Sequence, residues 1–302
     1  MKSSIDRMPP RKQRELERVL EILHEEFEDA LKEGTADFKK RGRILKIILF
    51  GSYAKGSWVD EPFTMKGYRS DFDLLIIVNN RKLAEFADYW YKAADRLIHD
   101  KTIETPVSFI VHSRREVNTY LKEGQYFFSD IRKEGIVLYE LDDEPLAEPG
   151  VLSPQDRLAV AKGHYEQRIG TASKFLKGAA FYSQERDFNE AAFLLHQSLE
   201  QAYSCVLLTL TNYGPASHNL KFLRSLAEGQ DRRLAEAFPR DQHRERAWFN
   251  TINEAYVKAR YSKHYEISEE ALQWLAERTA VLIDLVNTVC SEHIQKLNDG
   301  LP

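Results

Sequence analysis

The chain has 302 residues, with 43 Lys and Arg against 47 Asp and Glu, a formal net charge of −4. This balance excludes a strongly basic nucleic-acid coat protein, and 43% hydrophobic residues exclude wholesale disorder. The length suits two domains of about 150 residues, and neither a signal-peptide core nor an apolar run near the ~18 residues of a membrane span is present, so a cytoplasmic protein with no membrane partner is expected.

Leu16, Leu20, Leu23, Phe27 and Leu31 recur at steps of three and four. They predict a helix over residues 11–33, ended by Gly34. The basic run Lys39, Lys40, Arg41, Arg43 and Lys46 reads as a solvated loop. Apolar, β-branched segments predict strands at residues 44–50, 71–78 and 107–111. A helix over 83–98 is expected between the second and third, then a helix at 114–122 and a short strand at 136–139. The pattern is that of a mixed sheet flanked by helices. Residues 141–155 hold three prolines, a glycine and four acids, which marks a linker between a domain over 1–140 and a second over 156–302. The second domain carries long helical stripes, such as Leu195, Leu199, Ala202 and Val206, and predicts an all-α helical bundle. Cys205 and Cys290 lie in such stripes and read as buried free thiols. His196 reads as a core histidine, and His218 as a residue bonding the first turn of the helix after it.

The most informative stretch is Phe50-Gly51-Ser52-Tyr53-Ala54-Lys55-Gly56, followed by Ser70-Asp71-Phe72-Asp73. A strand that runs into a Gly-Ser turn offers backbone N–H groups to a phosphate. Gly51 lets the backbone come close, Ser52 adds a hydroxyl, and Gly56 lets the chain leave after one turn. Asp71 and Asp73 stand two apart in a strand, so their carboxylates share one face. Like charges so placed call for a divalent cation, and hard oxygen donors suit Mg²⁺.

Together these residues resemble the signature of the nucleotidyltransferase superfamily related to DNA polymerase beta, in its minimal and kanamycin-type form. Gly51, Ser52, Ala54, Gly56, Ser70, Asp71 and Asp73 carry the resemblance. It implies that Gly51, Ser52, Lys55 and Ser70 contact the nucleotide, and that Asp71 and Asp73 are the catalytic metal ligands, holding Mg²⁺ or Mn²⁺. Arg69, in the longer loop before the acidic pair, is a further candidate phosphate contact. The family's third carboxylate sits on a later strand. Here that position falls on Ser108, and Glu104 is the candidate substitute.

The second half resembles the HEPN domain, through residues 191–200, Ser217-His218-Asn219-Leu220 and Ala259-Arg260-Tyr261. Arg260, Lys263 and His264 are candidate nucleotide or phosphate contacts. Arg260 and His264 have three residues between them, where the HEPN ribonuclease motif has four to six. The resemblances imply transfer of a nucleoside monophosphate, most simply AMP from ATP, to an acceptor hydroxyl on a protein, a small molecule or an RNA end. The helical domain would shape substrate choice, and HEPN bundles imply a homodimer. Three alternatives stay open: a nucleotide sensor weakened at Ser108, a regulator of the toxin–antitoxin kind that such modules form as separate chains, and a HEPN ribonuclease.

Overall fold

The computed structural model describes residues 5, 8–32, 36–60, 70–215 and 217–300. The chain divides into two compact units that meet between Val151 and Leu152.

The first unit opens with α1 (Pro10–Lys32). Its Leu16, Val19, Ile22, Leu23 and Phe27 form one buried stripe. Each contributes roughly 1.5–3 kcal/mol of gross burial energy. A short α2 (Asp37–Lys40) leads into β1 (Ile44–Phe50), and β1 runs directly into α3 (Gly51–Lys55). There follow β2 (Phe72–Val78), a 3₁₀ turn (Arg81–Ala84), α4 (Phe86–Tyr89), α5 (Tyr91–His99), β3 (Val107–Ser113), α6 (Arg114–Lys122), α7 (Tyr126–Glu134) and β4 (Ile136–Glu140).

The strands form one mixed sheet in the order β3-β2-β1-β4. β1 is antiparallel to β2 and to β4, and β2 is parallel to β3. Every residue of β1 and β2 is buried. Ile47, Leu49, Leu74 and Ile76 share a core with the α1 stripe and with Trp90 and Leu97. Val117, Leu121, Phe128 and Ile131 of α6 and α7 are buried as well, and both helices pack on the central strands. The continuous apolar runs of β1 and β2 are thus those of strands covered on both faces.

Two expectations for this unit need correction, and one helix adds to them. Lys46, read as part of a solvated basic run, is buried in β1 at 1% exposure. Its ammonium pairs with the Glu140 carboxylate and donates to the Asp142 carbonyl at 3.1 Å. A central strand takes its residues inside whatever their charge, and the long stem reaches polar partners at the end of β4. The single helix expected over 83–98 is broken into a 3₁₀ turn, α4 and α5. At the break the buried Trp90 indole donates to the Leu83 carbonyl at 2.7 Å and stacks on Phe27 at 4.9 Å. α7 carries no helical period in the sequence, because Phe127, Phe128 and Ile131 are too few to define one.

In the second unit Ser153 caps α8 (Pro154–Gln184), with Pro154 at its first turn. α9 (Phe188–Thr211), α10 (Leu220–Gln230), α11 (His243–Tyr261) and α12 (Glu269–Asp299) follow. α9 is the central helix and packs against the other four. Cys205 and Cys290 are buried free thiols. No helix among the described residues is long and apolar enough to cross a membrane. His196 is fully buried, and its Nε2–H donates to the His218 carbonyl at 3.0 Å. His218 does not bond the first turn of α10. Asn219 does, accepting from the Lys221 and Phe222 amides, while His218 stacks on Tyr256 at 3.7 Å and reaches the Glu200 carboxylate with Nδ1 at 2.8 Å.

Burial pushes His112 and His196 down to about 4. Each is neutral when folded and takes up a proton near pH 6.5 when unfolded. The stability they contribute is complete above pH 6.5 and is lost as pH falls toward 4. The melting temperature should therefore drop across that window, and His196→Gln should flatten the pH dependence.

Candidate active site

The acidic pair stands where β2 begins. Asp73 lies in register with Phe50, the last residue of β1, and on its other side with Ser108 of β3. Asp71 precedes the strand by one residue and is partly exposed. Ser108 donates its hydroxyl to Asp71 Oδ2 at 3.3 Å. Asp73 is buried, and its Oδ1 has no hydrogen-bond partner among the described residues. Burial first, and the neighbouring Asp71 second, hold the Asp73 carboxyl well above the usual carboxylate range.

Gly51 is set against this acid. Its φ is +70°, and a Cβ on it would lie 2.4 Å from Asp73 Oδ2. Only glycine takes this backbone without strain and leaves room for the carboxylate. Gly56 closes α3 at φ +78°, with open space around it. The turn from β1 into α3 therefore lies directly beside the Asp73 carboxylate.

The backbone on both sides of Asp71 is pinned. Ser70 N–H donates to the Val59 carbonyl at 2.8 Å, and Val59 N–H donates to Ser70 Oγ at 3.0 Å. Phe72 N–H donates to the Pro106 carbonyl at 2.8 Å. Val59 and Pro106 bore no signal of this role in the sequence, because they act through main-chain atoms.

The nucleotidyltransferase domain family matches residues 31–138, and the HEPN domain family matches residues 165–289. A relative from Methanocaldococcus jannaschii, "Putative protein adenylyltransferase MJ0604", is 36% identical over 114 residues, which is 38% of this chain and 92% of the relative. The chain belongs to the nucleotidyltransferase family. It is a nucleotidyltransferase with a HEPN domain as its second unit.

Within this nucleotidyltransferase, the other sequence-derived candidates separate. Gly51, Ser52, Asp71 and Asp73 lie together at the β1–α3 turn and the start of β2. Ser70 is buried and spends its oxygen as an acceptor for Val59. Lys55, at the far end of α3, lies 3.8 Å from Glu134 of α7. Glu104 sits three residues before β3, and its carboxylate pairs with Arg11 of α1. No group of three or more His, Cys, Asp or Glu among the described residues is placed to hold a metal, so Glu104 does not complete a triad with Asp71 and Asp73. The place beside Asp73 belongs to Ser108. Arg69 lies outside the described residues.

Arg260, Lys263 and His264 belong to the second unit. Arg260 donates Nε–H to the Tyr256 carbonyl at 2.7 Å, and its guanidinium lies against the rings of Tyr256, Phe193 and Tyr261 at 4.4–5.0 Å. It lines a cavity of about 350 Å³ with Tyr182, Asn189, Glu190 and Phe193. Lys263 and His264 are exposed in the turn after α11.

The two glycines make a paired test. Gly56→Ala should cost about 1–2 kcal/mol in urea denaturation, the price of a Cβ in a left-handed backbone. Gly51→Ala should cost more, because it adds a clash with Asp73. Equal losses would show that Asp73 is not held against the turn.

Proposed function

We propose that this nucleotidyltransferase transfers AMP from ATP, with a divalent cation, to a hydroxyl group of a protein acceptor. The observation that carries the reading is the buried Asp73 Oδ1, which lacks a hydrogen-bond partner among the described residues and stands beside Asp71 at the Gly51 turn. A cation is the natural partner for an acid in that state. Mg²⁺ or Mn²⁺ fits two carboxylates, with nucleotide phosphate and water as its remaining ligands. The name of the relative from Methanocaldococcus jannaschii supports adenylate as the group moved and protein as the acceptor class.

In this reading Asp71 and Asp73 hold the cation. Gly51 lets the main chain approach the phosphates, and the Ser52 hydroxyl donates to one of them. A cation held by these carboxylates would supply charge neutralisation at the phosphate oxygens and acidify the attacking hydroxyl. The acceptor oxygen forms a bond to the α-phosphorus in line with the leaving group. The bond from that phosphorus to the pyrophosphate oxygen breaks, and the acceptor proton passes to solvent. Ser108 cannot act as a carboxylate base, so proton removal falls to the solvent side of the site.

The test is pyrophosphate release from ATP in Mg²⁺, with α-labelled ATP to follow the adenylate onto protein in a cell extract. Asp71→Asn and Asp73→Asn should each lower release by at least ~100-fold, as expected for losing a charge on which the chemistry depends. Intact ATP binding by wild type with no release above that of the two variants would overturn the transfer reading. Ser108→Asp provides a second check. A third carboxylate in register with Asp73 should lower the Mg²⁺ concentration needed for half-maximal release. In EDTA the same variant should melt earlier than wild type, because a third like charge is then uncompensated.

A further inference from the structure

A buried ionic cluster joins α1 to the segments at Asp60 and Thr105, and the transfer chemistry makes no use of it. Lys12 of α1 is 5% exposed. Its ammonium donates to Thr105 Oγ1 at 2.6 Å and pairs with Asp60 Oδ2 at 3.0 Å. Glu15, one turn further along α1, is 3% exposed. Its Oε2 accepts from the Thr105 amide at 2.8 Å and the Glu104 amide at 3.2 Å. Its Oε1 lies 3.5 Å from Arg11 and 3.7 Å from Lys12.

The partners of Lys12 are the immediate neighbours of the residues that pin Asp71. Asp60 follows Val59, which holds Ser70 by two hydrogen bonds. Thr105 precedes Pro106, which holds Phe72. Ser70 and Phe72 flank Asp71. A closed ring results: Lys12 to Asp60, Val59 to Ser70, past Asp71 to Phe72, then Pro106 and Thr105 back to Lys12. We infer that Lys12 is a positioning residue for the acidic pair, and that it fixes Asp71 by fastening together the two segments on either side of it. The inference deepens the proposed function and rests on Asp71 and Asp73 being the cation ligands.

A buried ammonium is costly unless it is paired, and this one is paired across the site it supports. A lysine needed only for stability could take any buried acid as its partner. Lys12 instead spans two segments that lie 45 positions apart in the sequence (Asp60 to Thr105). Removing it leaves Asp71 on a strand end whose flanking clamps have lost their brace. Positioning residues behind a metal ligand typically change metal affinity by ~10- to 100-fold.

The experiment compares Lys12→Met, Lys12→Arg and, as a control, Lys46→Met in the full chain. Lys46 is also a buried, paired lysine of this unit, but its partners lie at the end of β4. Two readouts are taken: amide hydrogen exchange, and Mn²⁺ binding followed by electron paramagnetic resonance. In Lys12→Met the Ser70 and Phe72 amides should exchange at least ~10-fold faster relative to those of Leu74 and Ile76, because their clamps open locally. Mn²⁺ affinity should fall ~10-fold or more. Lys12→Arg should recover part of both. Lys46→Met should lower the melting temperature and leave both readouts at the wild-type value. If Lys12→Met does not fold, Thr105→Val and Asp60→Asn each cut one side of the ring and should give the same local exchange.

Unchanged exchange at Ser70 and Phe72 would overturn the inference, as would equal changes in Lys46→Met. If the wild-type chain takes up no Mn²⁺, the cation reading of the proposed function falls and this inference falls with it. If wild type binds Mn²⁺ and Lys12→Met binds it equally well, the positioning role alone is overturned and the proposed function stands.

Discussion

An acid sealed inside the fold beside a second acid is the constraint on which the rest of the first unit depends. Asp73 is held well above the usual carboxylate range because burial and the Asp71 charge both disfavour its ionised form. Leaving a polar atom buried without a hydrogen bond costs on the order of 1–3 kcal/mol by protein mutational measures. A domain has only about 5–15 kcal/mol of net stability, so the surroundings must offset that cost. They do so by burying every residue of β1 and β2 and by laying the α1 stripe across one face of the sheet. The cost is placed at one point, and the apolar framework around it is correspondingly complete.

The sheet topology explains why the cost falls there. β2 is flanked by β1 and β3, so a residue at its start is enclosed by the end of one strand and the beginning of another. Phe50 and Ser108 are those neighbours for Asp73. Two residues earlier, Asp71 has passed the last residue of β1 and reaches solvent. The same period-2 geometry that sets both carboxylates on one face thus gives them different environments. Gly51 completes the arrangement, since any side chain there would meet Asp73.

Much of this was legible in the sequence. The apolar runs marked β1 and β2, Gly51 marked the turn, and Asp71 with Asp73 marked the candidate site. These signals are local, because each depends on residues a few positions apart. What was not legible depends on partners far away. Lys46 looked solvated until β4 supplied Glu140 and Asp142. Trp90 breaks a helix through contacts with Leu83 and Phe27. Lys12 and Glu15 lay on the charged face of a predicted amphipathic helix, where solvent is the usual partner. The segments around Asp60 and Thr105 turned that part of the face inward. Ser108 was legible as a departure from the family pattern, and the strand register places it beside Asp73.

The buried acids of the chain, compared with one another, separate structure from function. Glu15, Asp73 and Glu228 are the buried carboxylates among the described residues. Glu228, in α10, is met by Arg224 at 2.5 Å and Arg240 at 2.7 Å. Glu15 has two amides, Arg11 and Lys12. Both are paired with cations from their own chain, as buried charges must be when they serve the fold. Asp73 has Asp71 as its charged neighbour, and Oδ1 has no hydrogen-bond partner among the described residues. A buried acid whose charged neighbour has the same sign is incomplete within its own fold. Glu15 Oε1 also lacks a hydrogen bond among the described residues, but Arg11 and Lys12 lie 3.5 and 3.7 Å from it, whereas the Lys12 ammonium is otherwise directed to Asp60 and Thr105 and not to the acidic pair. Among the described residues Asp73 is thereby left without a cation from its own chain, which is the state the proposed function requires of it.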